Sequence, residues 1–186
     1  MNAHDTLVLF ADLQPEIVAR SRTTAPDALA ASAGILAEVG AILGLPLLFS
    51  VVPEGSKPPV LIPQLAGYAR ADRVFPRMTA TPWLDPAIVA AIEETGRRTI
   101  VVAGFATEVV TLHAARGAVA AGYRAIVPVD ANGGMSAATE AAALRRIEQA
   151  GGETSAVVSV ATELAPDFAA APGAAVFAAL QKLRLA

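Results

Sequence analysis

TIVVAGFATEVVTLHAARGAVAAGY, residues 99–123, runs from an uncharged β-branched segment through a glycine into a long alanine-rich segment. Thr99-Ile100-Val101-Val102-Ala103 has the pattern of a strand covered on both faces. Gly104 breaks it. Thr107 and Glu108 open the next segment, and their types suit a helix cap and a first helical turn. Gly122 closes it as a stop signal. The stretch therefore predicts strand, sharp turn and helix, with the helix N-terminus and its free N–H groups aimed above the strand end.

The same alternation extends in both directions. Thr6–Ala11 (TLVLFA) predicts a first strand ending on Asp12, and residues 15–25 are polar and irregular. Pro26 fits the first turn of a helix to about Leu43, with Ala28, Leu29, Ile35, Leu36, Val39 and Leu43 as its apolar stripe. Pro46–Val52 predicts the second strand, Pro53–Pro63 a long loop, residues 64–72 a short helix, and Arg73–Phe75 a third strand with Arg77 just past its end. Asp85-Pro86 begins a helix that ends at Thr95-Gly96. Tyr123–Val129 predicts the fifth strand, followed by a turn at Asn132-Gly133-Gly134. A helix from Ser136 or Ala137 runs to about Ala150. Thr154–Val160 predicts a sixth strand, Thr162 caps a short helix, and a last helix covers about Gly173–Leu183. No repeat or linker interrupts this order, so residues 1–186 form one domain. Strand alternating with helix implies a three-layer α/β/α fold around a six-stranded, mainly parallel sheet with right-handed crossovers.

With 54% hydrophobic and 17% charged residues, the chain can bury a large core and is not disordered. A net charge of −3 with no basic run gives no electrostatic case for nucleic acid or a membrane surface. Apolar runs are broken before they reach bilayer length, and the N-terminus lacks a basic leader. With no cysteine, the chain has no disulfide, no thiolate metal site and no thiol nucleophile, which fits a cytoplasmic protein. His4 and His113 stand alone, so no metal and no cofactor is expected. Neither a G-x-G-x-x-G after the first strand nor a G-x-x-x-x-G-K-[ST] occurs.

Open parallel sheets place ligands at strand carboxyl ends. Asp12 falls there after strand one, Arg77 after strand three, and the turn at 104–110 after strand four. For each, an ordinary alternative stands beside the functional one: Asp12 as a cap or solvent-facing carboxylate, Arg77 as a surface arginine, and the turn as a plain strand-to-helix joint. Lys57 reads as a solvated residue of the long loop.

Gly104-Phe105-Ala106-Thr107-Glu108-Val109-Val110 resembles the G-x-x-T-[DE]-x-C segment of the isochorismatase-like cysteine hydrolases, and Asp12-Leu13-Gln14 resembles their D-x-Q motif. Val129-Asp130-Ala131 and Ala161-Thr162-Glu163-Leu164 extend the likeness, which covers Thr6 to about Leu164. Trp83 and the proline-rich loop look similar to the family's unassigned branch. The resemblance implies Asp12 as acid/base and a basic residue after strand three, for which Arg77 is the best match and Arg73 the alternative. It further implies a cis Phe105–Ala106 bond and substrate contacts at Gln14, Phe105, Ala106, Thr107 and Trp83. The family's nucleophilic cysteine falls on Val110, which cannot attack. Thr111, one helical position on, should point elsewhere. Isochorismatases proper also lack the cysteine and use the aspartate as general acid on a vinyl ether.

The expectation is thus a hydrolase-like protein acting on or binding a small molecule, without a thiol. The alternative is an inactive relative with a ligand-binding or oligomeric role, since relatives commonly form homo-oligomers. A polar site joining Asp12 to Arg77 favours the first. A site filled by Val110, Phe75 or Trp83 favours the structural role.

Overall fold

A computed structural model describes residues 1–55 and 59–183; Lys57 lies outside them. Among the described residues seven strands form one sheet: β1 (Thr6–Ala11), β2 (Leu47–Val51), β3 (Val74–Pro76), β4 (Thr99–Phe105), β5 (Arg124–Pro128), β6 (Asn132–Gly133) and β7 (Glu153–Ser155). Six follow the order β3-β2-β1-β4-β5-β7, and every pairing is parallel. The two-residue β6 pairs with Gly104 and Phe105 of β4, beyond the rungs that β5 occupies. This short strand lies where the sequence suggests only a turn. Asn132 makes it: its amide donates to the carbonyls of Val102 and Pro128 at 3.0 and 2.8 Å.

The helices are α1 (Pro15–Val18), α2 (Pro26–Ile42), α3 (Pro63–Ala66), α4 (Pro86–Glu94), α5 (Leu112–Ala120), α6 (Ala137–Gln149), α7 (Val157–Leu164) and α8 (Gly173–Leu180). They cover both faces of the sheet. Val8, Phe10, Phe49, Val101 and Ala103 point to one face, against α2, α7 and α8. Leu7, Leu9, Leu48, Ile100 and Val102 point to the other, against α4, α5 and α6. Successive strand residues alternate faces, and both faces are buried, so these segments carry no polar alternation. Each fully buried Leu, Ile or Phe contributes about 1.5–3 kcal/mol. Phe10 and Phe49, paired in register, also stack at 5.2 Å.

Several expectations need correction. Residues 15–25, read as irregular, open with α1, and the short helix read over 64–72 is confined to Pro63–Ala66. The sixth long strand stops at Ser155, and Val157–Val160 belongs to α7. The β-branched run reads as a strand, but Val157, Val160, Ala161 and Leu164 recur at helical spacing and are buried together. The Asp130 carboxylate caps this helix, accepting from the Val157 N–H at 2.8 Å. Thr162 accordingly lies inside α7 and caps nothing. The helix expected from Thr107 begins instead with a π-helical turn, Thr107–Thr111, before α5. Gly122, at φ +84°, ends that segment as expected.

The chain leaves β1 for α2 on one face and leaves the neighbouring β4 for α5 on the other. The carboxyl ends of β1 and β4 therefore flank the point where the strand order reverses, the crevice where open α/β sheets bind ligands. The two strands approach closely here. A Cβ on Gly104 would lie 2.5 Å from the Ala11 carbonyl oxygen.

Candidate active site

Asp12 follows β1 with a left-handed backbone, φ +60°. Its N–H donates to the Ser50 carbonyl at 2.9 Å, which ties it to β2. Arg77 follows β3 and is fixed similarly, its N–H donating to the Val51 carbonyl at 2.9 Å. Three adjacent strands thus set two side chains at one edge. Arg77 Nη2 donates to Asp12 Oδ2 at 2.6 Å, with the side chains 3% and 10% exposed. Arg77 Nε reaches Ser50 Oγ at 3.4 Å, and Nη1 donates to the Thr79 carbonyl. Arg73 pairs with Glu94 of α4 at 3.0 Å on the surface, so Arg77 is the basic residue at this edge.

The Asp12 carboxyl is raised from 3.8 to about 6. Burial drives the rise, and the charge and hydrogen bond of Arg77 oppose it. Asp12 Oδ1 is buried without a hydrogen-bond partner among the described residues. A carboxyl that ionises near neutrality, with one oxygen held and one unpartnered, can give or take a proton.

Gln14 is fully buried, and its amide is spent on the backbone after β2. Oε1 accepts from the Val52 N–H at 2.7 Å, and Nε2 donates to the Val52 carbonyl at 3.0 Å and to Glu54 at 3.3 Å. It positions the chain and leaves no amide atom for a substrate. The Phe105–Ala106 peptide is cis. Phe105, Ala106 and Val110 are buried at the end of β4 and in the π turn. The Thr107 hydroxyl lies 3.0 Å from the Gly133 carbonyl and 2.9 Å from Glu140 of α6, and it caps no helix. Thr111 turns away, as expected, and donates to Asn132 Oδ1 at 2.8 Å. Glu108 Oε1 accepts from the Met135 N–H and the Thr139 hydroxyl at 2.8 and 2.6 Å. Partial burial works against its ionisation, but the hydrogen bonds, led by that of Thr139, outweigh it and hold its carboxyl below the usual range.

Trp83 does not join this edge. Its indole N–H donates to the Ala114 carbonyl of α5 at 2.8 Å, and the ring covers Gly117. It lies 5.7 Å from Tyr123, in a cleft of about 500 Å³ shared with Gly96, Arg97 and Arg98, the residues just before β4. Phe75 packs on the α4–α5 side of the sheet. Sequence reading missed Ser50 and Thr79 as holders of Arg77. Ser50 carried a signal, since it is a lone hydroxyl inside an apolar strand, a position that needs a partner. Thr79 acts through its backbone and carried none. No group of three His, Cys, Asp or Glu residues suited to a metal ion occurs among the described residues, and none of their helices is long and apolar enough to cross a membrane.

The fold is shared with known proteins. Probable hydrolase YcaC of Escherichia coli K12 is 26% identical over 169 residues, 90% of this chain and 81% of that protein. The structure of the E. coli YcaC gene product, an octameric hydrolase of unknown specificity, matches with a TM-score of 0.87 over 96% of this chain and 89% of its own, at 26% identity. YcaC from Pseudomonas aeruginosa, solved with hexane-2,5-diol and covalent acrylamide, matches with a TM-score of 0.89 at 25% identity, over 98% and 90% of the two chains. The isochorismatase domain model matches residues 6–159, most of the chain. The chain belongs to the isochorismatase family and is a hydrolase-like member related to YcaC.

Proposed function

We propose that the chain is a small-molecule hydrolase that works without a thiol, with Asp12 as general acid/base and Arg77 as its electrostatic partner. The observation that carries this reading is the buried Asp12–Arg77 pair at the β1–β4 crevice, with Asp12 Oδ1 unpartnered among the described residues and the carboxyl raised to about 6. In its acid form Asp12 gives the Oδ1 proton to the substrate. Arg77 stabilises the carboxylate that remains. A water then adds to the activated substrate and returns a proton to Asp12, and the hydrated adduct breaks its C–O or C–N bond as the leaving atom takes up a proton, so the net change is one water consumed and the substrate cleaved in two. No step passes through a covalent intermediate, because Val110 stands where the resemblance puts the nucleophile. Phe105, Ala106 and Thr107 border the site at the end of β4. By likeness to the octameric E. coli protein, the chain acts as a homo-oligomer.

Val110, aliphatic and fully buried, favours a second reading, a binding protein without turnover. A hydrolysis screen over amides, N-carbamoyl compounds and vinyl ethers separates the two. The purified parent is run beside Asp12→Ala and Val110→Cys. Turnover in the parent that falls at least about 100-fold in Asp12→Ala, the usual scale of acid/base catalysis, supports the hydrolase. A silent parent with activity only in Val110→Cys leaves the binding protein.

A further inference from the structure

The cleft beside Trp83 lies at the other end of the sheet from Asp12. It opens where α4 and α5 run into the first residues of β4 and β5, and its volume of about 500 Å³ suits a small molecule. β4 is seven residues long, so roughly 20 Å separates this cleft from the carboxyl edge where Asp12 and Arg77 meet. The lining is of two kinds. Trp83 and Tyr123 give an aromatic part, their ring centroids 5.7 Å apart and their planes tilted by 42°, and Val89 of α4 adds an aliphatic contact. The Ala114 carbonyl already holds the Trp83 indole, so this part is ordered before any ligand arrives. Arg97 and Arg98 give a cationic part. Arg97 is oriented through Nη1, which donates to the carbonyls of Ala3 and His4. Arg98 is fixed through its backbone N–H, which donates to the Asp5 carbonyl and to Asp5 Oδ1, both at 3.1 Å. Among the described residues neither arginine enters an ion pair, and neither does Glu93, the carboxylate in the lining. Two positive charges therefore stand against one negative. A guanidinium without an internal partner matches a carboxylate through two parallel hydrogen bonds, and aromatic side chains favour another ring in offset or tilted contact.

We propose that this cleft is a second binding site, for a small aromatic carboxylate whose ring lies against Trp83 and Tyr123 and whose anionic end is held by Arg97 and Arg98. The site is independent of the hydrolase reading and of the crevice at Asp12.

The test uses Trp83 as its reporter. It is the only tryptophan in the chain, so emission excited at the red edge of its absorption comes from this cleft. The parent is titrated with phenylacetate, phenethyl alcohol and cyclohexylacetate, which present ring and anion, ring alone, and anion on a saturated ring. Phenylacetate is expected to bind at least about tenfold tighter than the alcohol, the scale of one charge-assisted hydrogen bond. It is expected to bind at least about threefold tighter than cyclohexylacetate, the scale of one aromatic contact. In Arg98→Gln, at an exposed position whose backbone contacts remain, the preference for acid over alcohol falls away while the preference for the aromatic ring stays. Asp12→Ala leaves all three affinities unchanged. The parent comparison stands without any variant. Trp83 emission that does not respond to phenylacetate overturns the proposal, as does an alcohol that binds as tightly as the acid. A response lost in Asp12→Ala and kept in Arg98→Gln also overturns it, because the ligand would then sit in the crevice.

Discussion

Two arginine–carboxylate pairs stand at opposite ends of the sheet, and their donor–acceptor distances are the same. Arg124 and Glu153, the first residues of β5 and β7, meet through two hydrogen bonds of 2.6 Å, with side chains 42% and 48% exposed. Arg77 and Asp12, past the ends of β3 and β1, also meet at 2.6 Å but are almost dry. The carboxyls respond in opposite directions. The hydrogen bond from Arg124 holds Glu153 below the usual carboxylate range. Burial pushes Asp12 up to about 6 despite its arginine. The shortest contact is the same in the two places, although the exposed pair is bidentate and the buried pair is held through one oxygen; burial is the largest influence on Asp12, so solvation sets the sign there. The exposed pair fastens two short strand ends and remains ionised. The buried pair keeps a carboxyl poised to change state near neutral pH.

This contrast is broken most forcefully at Arg77. Arg77→Met should cost about 3–5 kcal/mol, because it leaves a buried carboxylate without its partner; denaturant unfolding measures it, and a loss below about 1 kcal/mol would place the pair in solvent. The next effect is pH dependence. In the folded chain Asp12 keeps its proton up to about pH 6, against an ordinary 3.8. Between these values the folded state binds more protons than the unfolded one, so the stability contribution is full below the window and is lost as pH rises through it. Among the described residues Arg77 is the hydrogen-bond partner of the Asp12 carboxyl, and Ser50 holds Arg77 in turn. Asp12→Asn should therefore lose a stability slope totalling up to about 3 kcal/mol, roughly two units at about 1.4 kcal/mol each. Parallel slopes in parent and variant across pH 4–6.5 would mean an Asp12 with an ordinary pKa. The smallest effect belongs to the exposed pair: Glu153→Gln should change stability by less than about 1 kcal/mol, and less still at high salt.

The strands and the convergence of Asp12 with Arg77 were legible because both depend on local pattern. Doubly buried strands leave apolar runs, and residues just past parallel strands share one edge. The misreadings share a different cause. Val157–Val160 is β-branched like a strand, and its helix is capped by Asp130, twenty-seven residues earlier in the chain. Trp83 follows Arg77 by six positions, yet its ring is anchored by Ala114 and Gly117 of α5. Gln14 belongs to a motif that suggests substrate contact, but its amide is consumed by Val52 across the strand gap. In each case the deciding partner is distant in sequence, and composition near the residue carries no trace of it.

The closeness of β1 and β4 at Gly104 bears on how this crevice can change over generations. The functional groups above it are side-chain tips, and exchanging one alters charge or shape at a single point. The rung below has no such latitude, since even one methyl would press on the Ala11 carbonyl. Mutational drift is therefore open to the chemistry and closed to the frame, and a lineage can retune or silence the site while inheriting the same cleft.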